Sequence, residues 1–498
     1  MEYLGKSIWI GYVVAGTLLG IGFVYPVLWV LGIVGAAYFL YLVQLEQTFK
    51  KASLGGWLVF SIKAAAPMLW IWSTYPIDWL PVELGKIEVP LIFVYWLTSS
   101  LWIGVGGIVI VALIRLFKEY VFRKTLLALL LPAIWIAGEV VGSIAFSIMT
   151  LGPGSEVSAK LSFGYVGFLL VENDLLLNAA GLAGVYSLSF LFVLLAIGLL
   201  LLIKKLPSNY RYLSLGFLLL LIVPFSSQDS SFQVEGESAY EIAVIETNFP
   251  TKLLRSADGV SDISSSLAEA MSVSLEYGPD YVLLPEDSRF FNQEKGNGFV
   301  QSFFKFQYGD PSAVIVDSGR VEIDDSVYLQ AFVYDGLNKE AETFQKNYLA
   351  PQGEYVPYLY AGAFYLFGFG DVIDGVAKDV AYKMGVDSKQ SDLGVSLPGV
   401  LFCFESVDPA GVRRLVGERP DLPFVAHPVS HAWFHEPEVL WHQLDVMLRV
   451  QAVWNKKYIV SASSHAESKT YTPSGKIVVS DIVAEGEYWK VRVVKIPK

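Results

Sequence analysis

The chain contains 498 residues, of which 54% are hydrophobic and only 17% are charged, and its formal net charge is −12. Ordinary soluble proteins carry roughly 25% charged residues, so this composition excludes a protein that is water-soluble throughout. The negative charge argues against nucleic acid as a partner. Long apolar segments fill the chain up to about Pro224, whereas the sequence from Ser226 onward has a mixed composition. We therefore expect a membrane domain over residues 1–227 and a globular domain over residues 228–498.

The apolar segments of the first half predict seven transmembrane helices. Most of them approach the ~20 residues that a helix needs to cross a bilayer. The first segment lacks a small-residue cleavage site, so we interpret it as a retained helix and not as a signal peptide. The seven segments cover residues 8–24, 26–44, 55–74, 89–115, 126–149, 179–203 and 212–226.

Basic residues fall in alternate loops between these segments. Positive charge marks cytoplasmic loops, so the N-terminus is predicted to be cytoplasmic. Seven crossings then place the globular domain on the outer face of the membrane. The basic residues are Lys50, Lys51, Arg115, Lys118, Arg123, Lys124, Lys204, Lys205 and Arg211.

Two ionisable residues, Lys63 and Glu139, lie inside predicted spans. Ionisable groups are costly in a bilayer and usually face the bundle interior or a water-filled pathway. Glu139 is therefore a candidate functional residue of the membrane domain, with a structural ion pair as the alternative.

In the globular half, a predicted strand delivers a carboxylate to its carboxyl end. The strand-forming residues 281–284 are followed by Pro285 and Glu286. Layered α/β domains usually place their chemistry at this edge of a sheet. The later stretch "FQKNYLAPQGEYVP" brings Lys346 and Glu354 into one loop. Taken singly, each of these charges could equally be a solvated surface group.

The stretch "GVLFCFESVDP" holds Cys403, the only cysteine of the chain, two residues before Glu405. A lone cysteine cannot form a disulfide within its own chain. Cys403 is therefore either a reactive thiol or a small buried apolar residue, since free cysteines are among the most buried residue types.

All five histidines lie within 39 residues of one another. His431 and His435 are four apart, a spacing that would suit a metal site on a helix. Pro428 and Pro437 argue against a helix there. We predict no metal site and no other cofactor. The five histidines are His427, His431, His435, His442 and His465.

Taken together, these motifs resemble a known family. Glu286, Lys346 and Cys403 match, in chain order, the glutamate, lysine and cysteine of the nitrilase (carbon–nitrogen hydrolase) superfamily, and the stretches "IAVIETNFP", "LLPEDS", "KNYLAPQGEYVP", "LFCFES" and "HAWF" are similar to those of its membrane-bound N-acyltransferases. With "PAIWIAGEVVGSI" in the membrane half, nearly the whole chain resembles the apolipoprotein N-acyltransferase family of bacterial inner-membrane enzymes. The resemblance implies an α-β-β-α sandwich behind a polytopic helical membrane domain. It also implies a catalytic set of Glu286, Lys346 and Cys403.

The chemistry assigns a role to each member of this set. A thiol is mostly protonated at neutral pH, so Cys403 needs a base, and Glu286 is the candidate. Lys346 and the backbone N–H of Phe404 are the candidates for stabilising the oxyanion. Glu354 and Glu405 are expected to orient Lys346 and its loop, with surface ion pairs as the alternative. A lipid-facing aromatic rim is expected to include Phe290, Phe291, Tyr358 and Phe364, although part of it could be core.

The activity implied by the resemblance is transfer of an acyl chain from phospholipid, through a Cys403 thioester, to the N-terminal amine of a diacylglyceryl-cysteine lipoprotein. The expected location is the inner membrane, as a multi-pass protein with its catalytic domain on the periplasmic face. Alternatives are a membrane-bound amidase, an acyltransferase with another amine acceptor, and a catalytically silent envelope-assembly relative.

Several positions depart from the family pattern. Val429, Ser430 and His431 stand where the family usually has Ser-Asn-Asp, and Ala452 stands where it has glutamate. The family's eighth membrane helix, after the catalytic domain, is also not expected here. These departures leave Glu286 and the other catalytic candidates in place, but they put the acceptor in question.

Overall fold

In the computed structural model, the first part of the chain is helical. The structure describes residues 2–78, 85–117, 127–203, 239–250, 253, 257–291, 305, 307–309, 312–337, 340–379, 382–385, 397–435 and 437–498. The helices of the first part are α1 (Glu2–Ile21), α2 (Trp29–Leu45), α3 (Phe49–Ala65), α4 (Glu88–Ile103), α5 (Val105–Leu116), α6 (Leu127–Met149), α7 (Asp174–Leu177), α8 (Ala180–Ala183) and α9 (Val185–Ile203).

Within the described residues, four helical segments are long and apolar enough to cross a membrane: Pro26–Leu45, Gly85–Leu116, Leu130–Met149 and Val185–Leu202. A fifth is formed if α3 and the 3₁₀ segment Pro67–Thr74, which meet at a 50° bend, count as one span. Within α1, Ile8–Ile21 is a shorter apolar helix. Helices thus occupy the first six predicted spans, whereas the seventh, 212–226, lies outside the described residues.

The bend after α3 differs from the single straight helix predicted over residues 55–74. Pro67 opens the 3₁₀ segment directly after Ala66. Proline has no backbone N–H and clashes with the preceding turn, so it ends a regular helix. The bend turns Trp70 and its neighbours toward the second domain.

Glycine allows the membrane helices to approach each other closely. A Cβ on Gly107 of α5 would lie 2.1 Å from the carbonyl oxygen of Gly56 on α3, and one on Gly106 would lie 2.1 Å from that of Gly138 on α6. Only glycine fits at such contacts, which are typical of packed helices in membranes.

A buried ion pair joins α3 and α6. Lys63 Nζ lies 3.2 Å from Glu139 Oε1, and both side chains are almost wholly buried. Glu139 also accepts hydrogen bonds from the backbone N–H of Val166 at 2.8 Å and from Ser189 Oγ at 2.9 Å. Glu139 therefore ties α6 to three other segments of the membrane domain.

The second part of the chain is built on strands that pair into one network. The strands are β1 (Ala239–Thr247), β2 (Tyr281–Leu283), β3 (Val314–Ile323), β4 (Ser326–Asp335), β5 (Glu340–Gln345), β6 (Gly399–Val400), β7 (Val425–Ser430), β8 (Ile459–Ser464), β9 (Thr470–Tyr471), β10 (Ile477–Val478), β11 (Ile482–Glu485) and β12 (Trp489–Pro497). Their order is β10-β9-β8-β1-β2-β3-β4-β5, with β12 antiparallel to β1 and with β6 and β7 continuing from β8. The pairs β1–β2, β2–β3, β6–β7 and β7–β8 are parallel.

The helices of this part are α10 (Ala257–Glu276), α11 (Tyr358–Leu366), α12 (Gly370–Asp379), α13 (Gly411–Glu418) and α14 (Glu438–Asn455). Helix α10 covers one outer side of the sheets and α13 and α14 cover the other, whereas α11 and α12 pack against the membrane domain. One hydrophobic cluster joins residues of β1–β4 to residues of β6–β8, as expected for two sheets packed face to face. A second cluster joins the other face of β1–β3 to α10, and a third joins β7 and β8 to α13 and α14. The predicted fold class, a polytopic helical domain followed by an α-β-β-α sandwich, is confirmed.

The two domains contact each other next to the predicted site. Ser162, which follows α6, donates from its backbone N–H and from Oγ to the carbonyl oxygen of Val407, at 3.1 and 2.6 Å. Gln443 of α14 donates to the carbonyl oxygen of Pro67 at 2.8 Å. The second of these contacts places the bent segment after α3 against the globular domain.

Candidate active site

Glu286 lies at the carboxyl end of β2, in the middle of the sheet. The backbone N–H of Leu284 still bonds to Val316 on β3 at 3.0 Å, and Pro285 then ends the pairing. The Glu286 side chain is only 8% exposed. The strand end thus holds this carboxylate inside the domain.

Lys346 directly follows β5 and reaches two carboxylates. Its Nζ donates to Glu286 Oε1 at 2.9 Å and to Glu354 Oε1 at 2.7 Å, and its side chain is 1% exposed. The other Glu354 oxygen accepts the backbone N–H of Ala350 at 2.7 Å. Glu354 therefore fixes both the lysine and the loop that follows it.

Cys403 begins a short 3₁₀ turn, Cys403–Val407, directly beyond β6. Its Sγ lies 3.8 Å from the carbonyl oxygen of Ser430, the last residue of β7. Parallel pairing of β6 with β7 brings these two strand ends together. The first N–H groups of a helical turn have no partner within the turn, so the N–H of Phe404 is suited to bind an oxyanion near the sulfur.

Glu405 connects the cysteine turn to the lysine loop. Its Oε1 accepts the backbone N–H of Asn347 at 2.7 Å, and its Oε2 accepts that of Phe402 at 3.0 Å. It contacts the residue after Lys346 and holds the turn in place through backbone groups.

Electrostatics set the protonation of the site. Burial raises the pKa of Glu286 to about 7, although the Lys346 ammonium opposes the rise. Burial, with the Glu286 charge, raises the pKa of the Cys403 thiol well above its ordinary value. Burial would lower the pKa of Lys346, but Glu286 and Glu354 outweigh it and raise that pKa. At neutral pH the thiol is protonated, the lysine is a fixed cation, and Glu286 can exchange a proton.

Glu286, Lys346, Glu354 and Cys403 line one cavity of about 490 Å³, which we call the cysteine cavity. A larger cavity of about 1150 Å³, the apolar cavity, lies beside it. Its walls come from the membrane helices on one side and from the globular domain on the other. The two cavities share Trp70, Ala350, Phe404, Trp433 and Phe434.

The aromatic rim predicted from the sequence is only partly in place. Phe364 lines the apolar cavity, and Tyr358, at the start of α11, is 59% exposed. Phe291, by contrast, is buried, and its ring lies 4.7 Å from that of Phe332. Phe290 packs against the same core. Phe291 therefore belongs to the hydrophobic core and Phe290 packs against it, and the backbone N–H of Phe291 donates to Asp317 Oδ2 at 2.9 Å.

The membrane domain supplies cavity residues that the sequence analysis did not identify. Trp70 lines both cavities, and Tyr95 of α4 and Phe146 of α6 line the apolar one. Aromatic residues around the Pro67 break were the only local signal for this. Glu139 lies instead in its ion pair with Lys63.

The histidine segment is a strand and a turn. His427 lies on β7 and His431 follows it, buried at 5% exposure, whereas His435 bonds to the carbonyl oxygen of Pro76 at the domain boundary. Across the part of the chain that the structure describes, no group of three potential metal-ligating His, Cys, Asp or Glu side chains occurs.

Comparisons with known proteins give structural similarities only. No protein-family model and no curated protein sequence matches the chain. The solved structures to which the chain is similar include two proteins of the nitrilase superfamily. One is an amidase from Nesterenkonia sp. AN1, with acrylamide added to its active-site cysteine, at 17% identity over 51% of this chain and 92% of that chain, with a TM-score of 0.34.

The other is Saccharomyces cerevisiae Nit3, at 14% identity over 52% of this chain and 90% of that chain, with a TM-score of 0.36. The chain is also similar to the glutamine-dependent NAD⁺ synthetase from Acinetobacter baumannii, at 12% identity over 52% of this chain and 46% of that chain, with a TM-score of 0.34. The four-layered architecture itself stands on the strand pairing and hydrophobic clusters described above.

Proposed function

We propose that this protein is a membrane-bound N-acyltransferase. It moves an acyl chain from a phospholipid, through a thioester at Cys403, to the N-terminal amine of a diacylglyceryl-cysteine lipoprotein. The observation that carries this proposal is the apolar cavity between the membrane helices and the cysteine cavity. This cavity is lined almost entirely by apolar and aromatic side chains. A lipid chain can lie in it while the ester reaches the sulfur.

The first half-reaction loads the cysteine. Glu286 takes the thiol proton, and the sulfur of Cys403 attacks the ester carbonyl carbon. Lys346 and the N–H of Phe404 stabilise the resulting oxyanion. The ester C–O bond then breaks, the departing glycerol oxygen takes the proton from Glu286, and the acyl group remains on sulfur.

The second half-reaction discharges the thioester. The acceptor amine forms a bond to the acyl carbon and passes a proton to Glu286. The C–S bond breaks, and the sulfur recovers that proton, so thiol and carboxylate return to their starting states. The product is an amide on the acceptor.

The same proposal includes the location. A phospholipid donor and a lipoprotein acceptor are both membrane-bound, so the chain would act in the inner membrane with its catalytic domain on the periplasmic face. The apolar helices support a membrane location. The alternation of basic loops supports the orientation.

The test is the intact mass of the purified full chain after incubation with phosphatidylethanolamine vesicles. We expect the mass of the protein to increase by one acyl group, and we expect no increase in Cys403→Ser. Adding a diacylated lipopeptide with a free N-terminus should return the protein to its original mass and produce the triacylated lipopeptide. A mass gain cleared by water alone would favour an amidase. No gain, together with no release of lysophospholipid or fatty acid, would overturn the phospholipid-donor proposal and favour a catalytically silent relative.

A further inference from the structure

The cysteine cavity contains a buried histidine side chain with an unpartnered nitrogen. His431 is 5% exposed and lines this cavity beside Cys403 and Ser430. Its backbone is fixed, because its N–H donates to the carbonyl oxygen of Ser464 and its own carbonyl accepts the N–H of Phe434. Its Nδ1, however, is buried and has no hydrogen-bond partner among the described residues.

The charged side chains of the described cavity lining, and the Cys403 sulfur, have partners. Lys346 holds Glu286 and Glu354, and the carbonyl oxygen of Ser430 faces the Cys403 sulfur. Buried polar groups in proteins are nearly always hydrogen-bonded, so an unpaired nitrogen on a side chain that lines a cavity indicates a position for a ligand group.

Trp70 lines the same cavity from the membrane side, and its buried indole Nε1–H likewise has no partner in the part of the chain that the structure describes. Both residues pack against Phe434, whose ring centroid lies 5.6 Å from that of Trp70 and 6.4 Å from that of His431. An indole nitrogen only donates hydrogen bonds, whereas a neutral imidazole nitrogen without its proton accepts them. Burial lowers the pKa of His431 to about 3, so the ring is neutral at physiological pH.

We propose that His431 and Trp70 form the acceptor subsite of the cysteine cavity, which binds an α-amino group next to a carbonyl, as at a peptide N-terminus. This inference rests on the proposed acyl transfer and names how its acceptor is recognised. An amine that attacks the thioester gives one proton to Glu286 and keeps one N–H group, which needs an acceptor in a dry cavity. His431 Nδ1 supplies that acceptor. The Trp70 indole N–H donates to the neighbouring carbonyl oxygen.

The experiment loads the full-length enzyme in detergent with p-nitrophenyl octanoate, so that it does not depend on a phospholipid donor. Loading is followed by p-nitrophenol release and by the mass of Cys403. Discharge is then measured with glycinamide, which has a carbonyl beside its amine, and with ethylamine, which has none. The products are octanoyl amides and, from water, octanoic acid.

We expect His431→Phe to load at the wild-type rate but to discharge onto glycinamide roughly tenfold more slowly, as for the loss of one hydrogen bond in a dry site. His431→Asn, whose amide lies near the position of Nδ1, should recover part of this loss. Trp70→Phe should lower the preference for glycinamide over ethylamine. The matched control is His435→Phe, whose side chain is 41% exposed at the domain boundary, and it should behave as wild type.

Equal slowing of loading and discharge in His431→Phe, or an unchanged ratio of amide to acid, would overturn the subsite. If Trp70→Phe keeps the wild-type preference for glycinamide over ethylamine, Trp70 does not bind the carbonyl group of the acceptor. If p-nitrophenyl octanoate loads Cys403 normally but phosphatidylethanolamine does not, the proposed function is overturned. The discharge rates of the His431 and Trp70 variants can still be interpreted in that case. A cysteine that the ester never loads would overturn the thioester chemistry on which both rest.

Discussion

Glu405 accepts a hydrogen bond from the backbone N–H of Asn347 at 2.7 Å, which joins the cysteine turn to the loop carrying Lys346. Glu405→Ala removes this acceptor and the one for the N–H of Phe402. Each buried donor left unpaired costs about 1–3 kcal/mol. We expect a lower melting temperature and at least roughly tenfold slower loading of Cys403, because the turn loses its position relative to the lysine.

The measurement compares melting temperature and loading rate in Glu405→Ala, Glu405→Gln and the exposed control Glu485→Gln. Glutamine keeps one accepting oxygen, so its values should lie between those of wild type and alanine. An alanine variant that melts lower but loads normally would show that Glu405 is structural only.

The loading rate should depend on pH through Glu286. Burial raises the pKa of this carboxyl to about 7, and only its unprotonated form can take the thiol proton. The rate should therefore rise with pH from about 5.5, inflect near 7, and level off above it. Glu286→Gln should load at least 100-fold more slowly, in line with the roughly 10²–10⁴-fold effect of a general base. A loading rate that stays constant across this pH range would show that a group other than Glu286 takes the thiol proton.

Stability of the site should depend on Lys346 and its two carboxylates acting together. Lys346→Met leaves Glu286 and Glu354 buried without their cation, and removing one partner of a buried ion pair costs about 3–5 kcal/mol. Adding Glu354→Gln removes one of those stranded charges. The double variant should therefore lose less stability than the sum of the two single variants, by about 0.5–3 kcal/mol.

Thermal unfolding of the three variants in the same detergent measures this coupling. Lys495→Met, which breaks an exposed pair with Glu241, is the control and should change stability little. Strict additivity of the Lys346 and Glu354 changes would contradict a coupled site.

Local patterns in the sequence were sufficient for some parts of this site and not for others. Glu286 could be placed at a strand end because a run of strand-forming residues stops at Pro285, and that signal lies within a few residues. Trp70 and Tyr95 reach the cavities only through packing between the domains. Local patterns in the sequence do not predict such a contact between domains. Phe291 could have been rim or core on composition alone, and its ring contact with Phe332 decides for the core.

The apolar cavity should determine which acyl chains load Cys403. Ile92 of α4 is buried at 3% exposure and lines this cavity, so Ile92→Trp reduces its volume. Overpacking a core position typically lowers folding stability by about 1–3 kcal/mol, so normal folding of the variant is checked first. We expect loading from p-nitrophenyl palmitate to fall while loading from the octanoate is kept, because the longer chain needs the filled space.

The matched control for this change lies two residues away on the same helix. Val94 is 46% exposed, so Val94→Trp adds the same ring outside the cavity and should leave the ratio of palmitate to octanoate loading at the wild-type value. The ratio is the informative quantity, since general damage to folding or to the cysteine slows both esters alike. If Ile92→Trp folds and keeps the wild-type ratio, the acyl chain does not occupy the apolar cavity, and the observation that carries the proposed function no longer supports it.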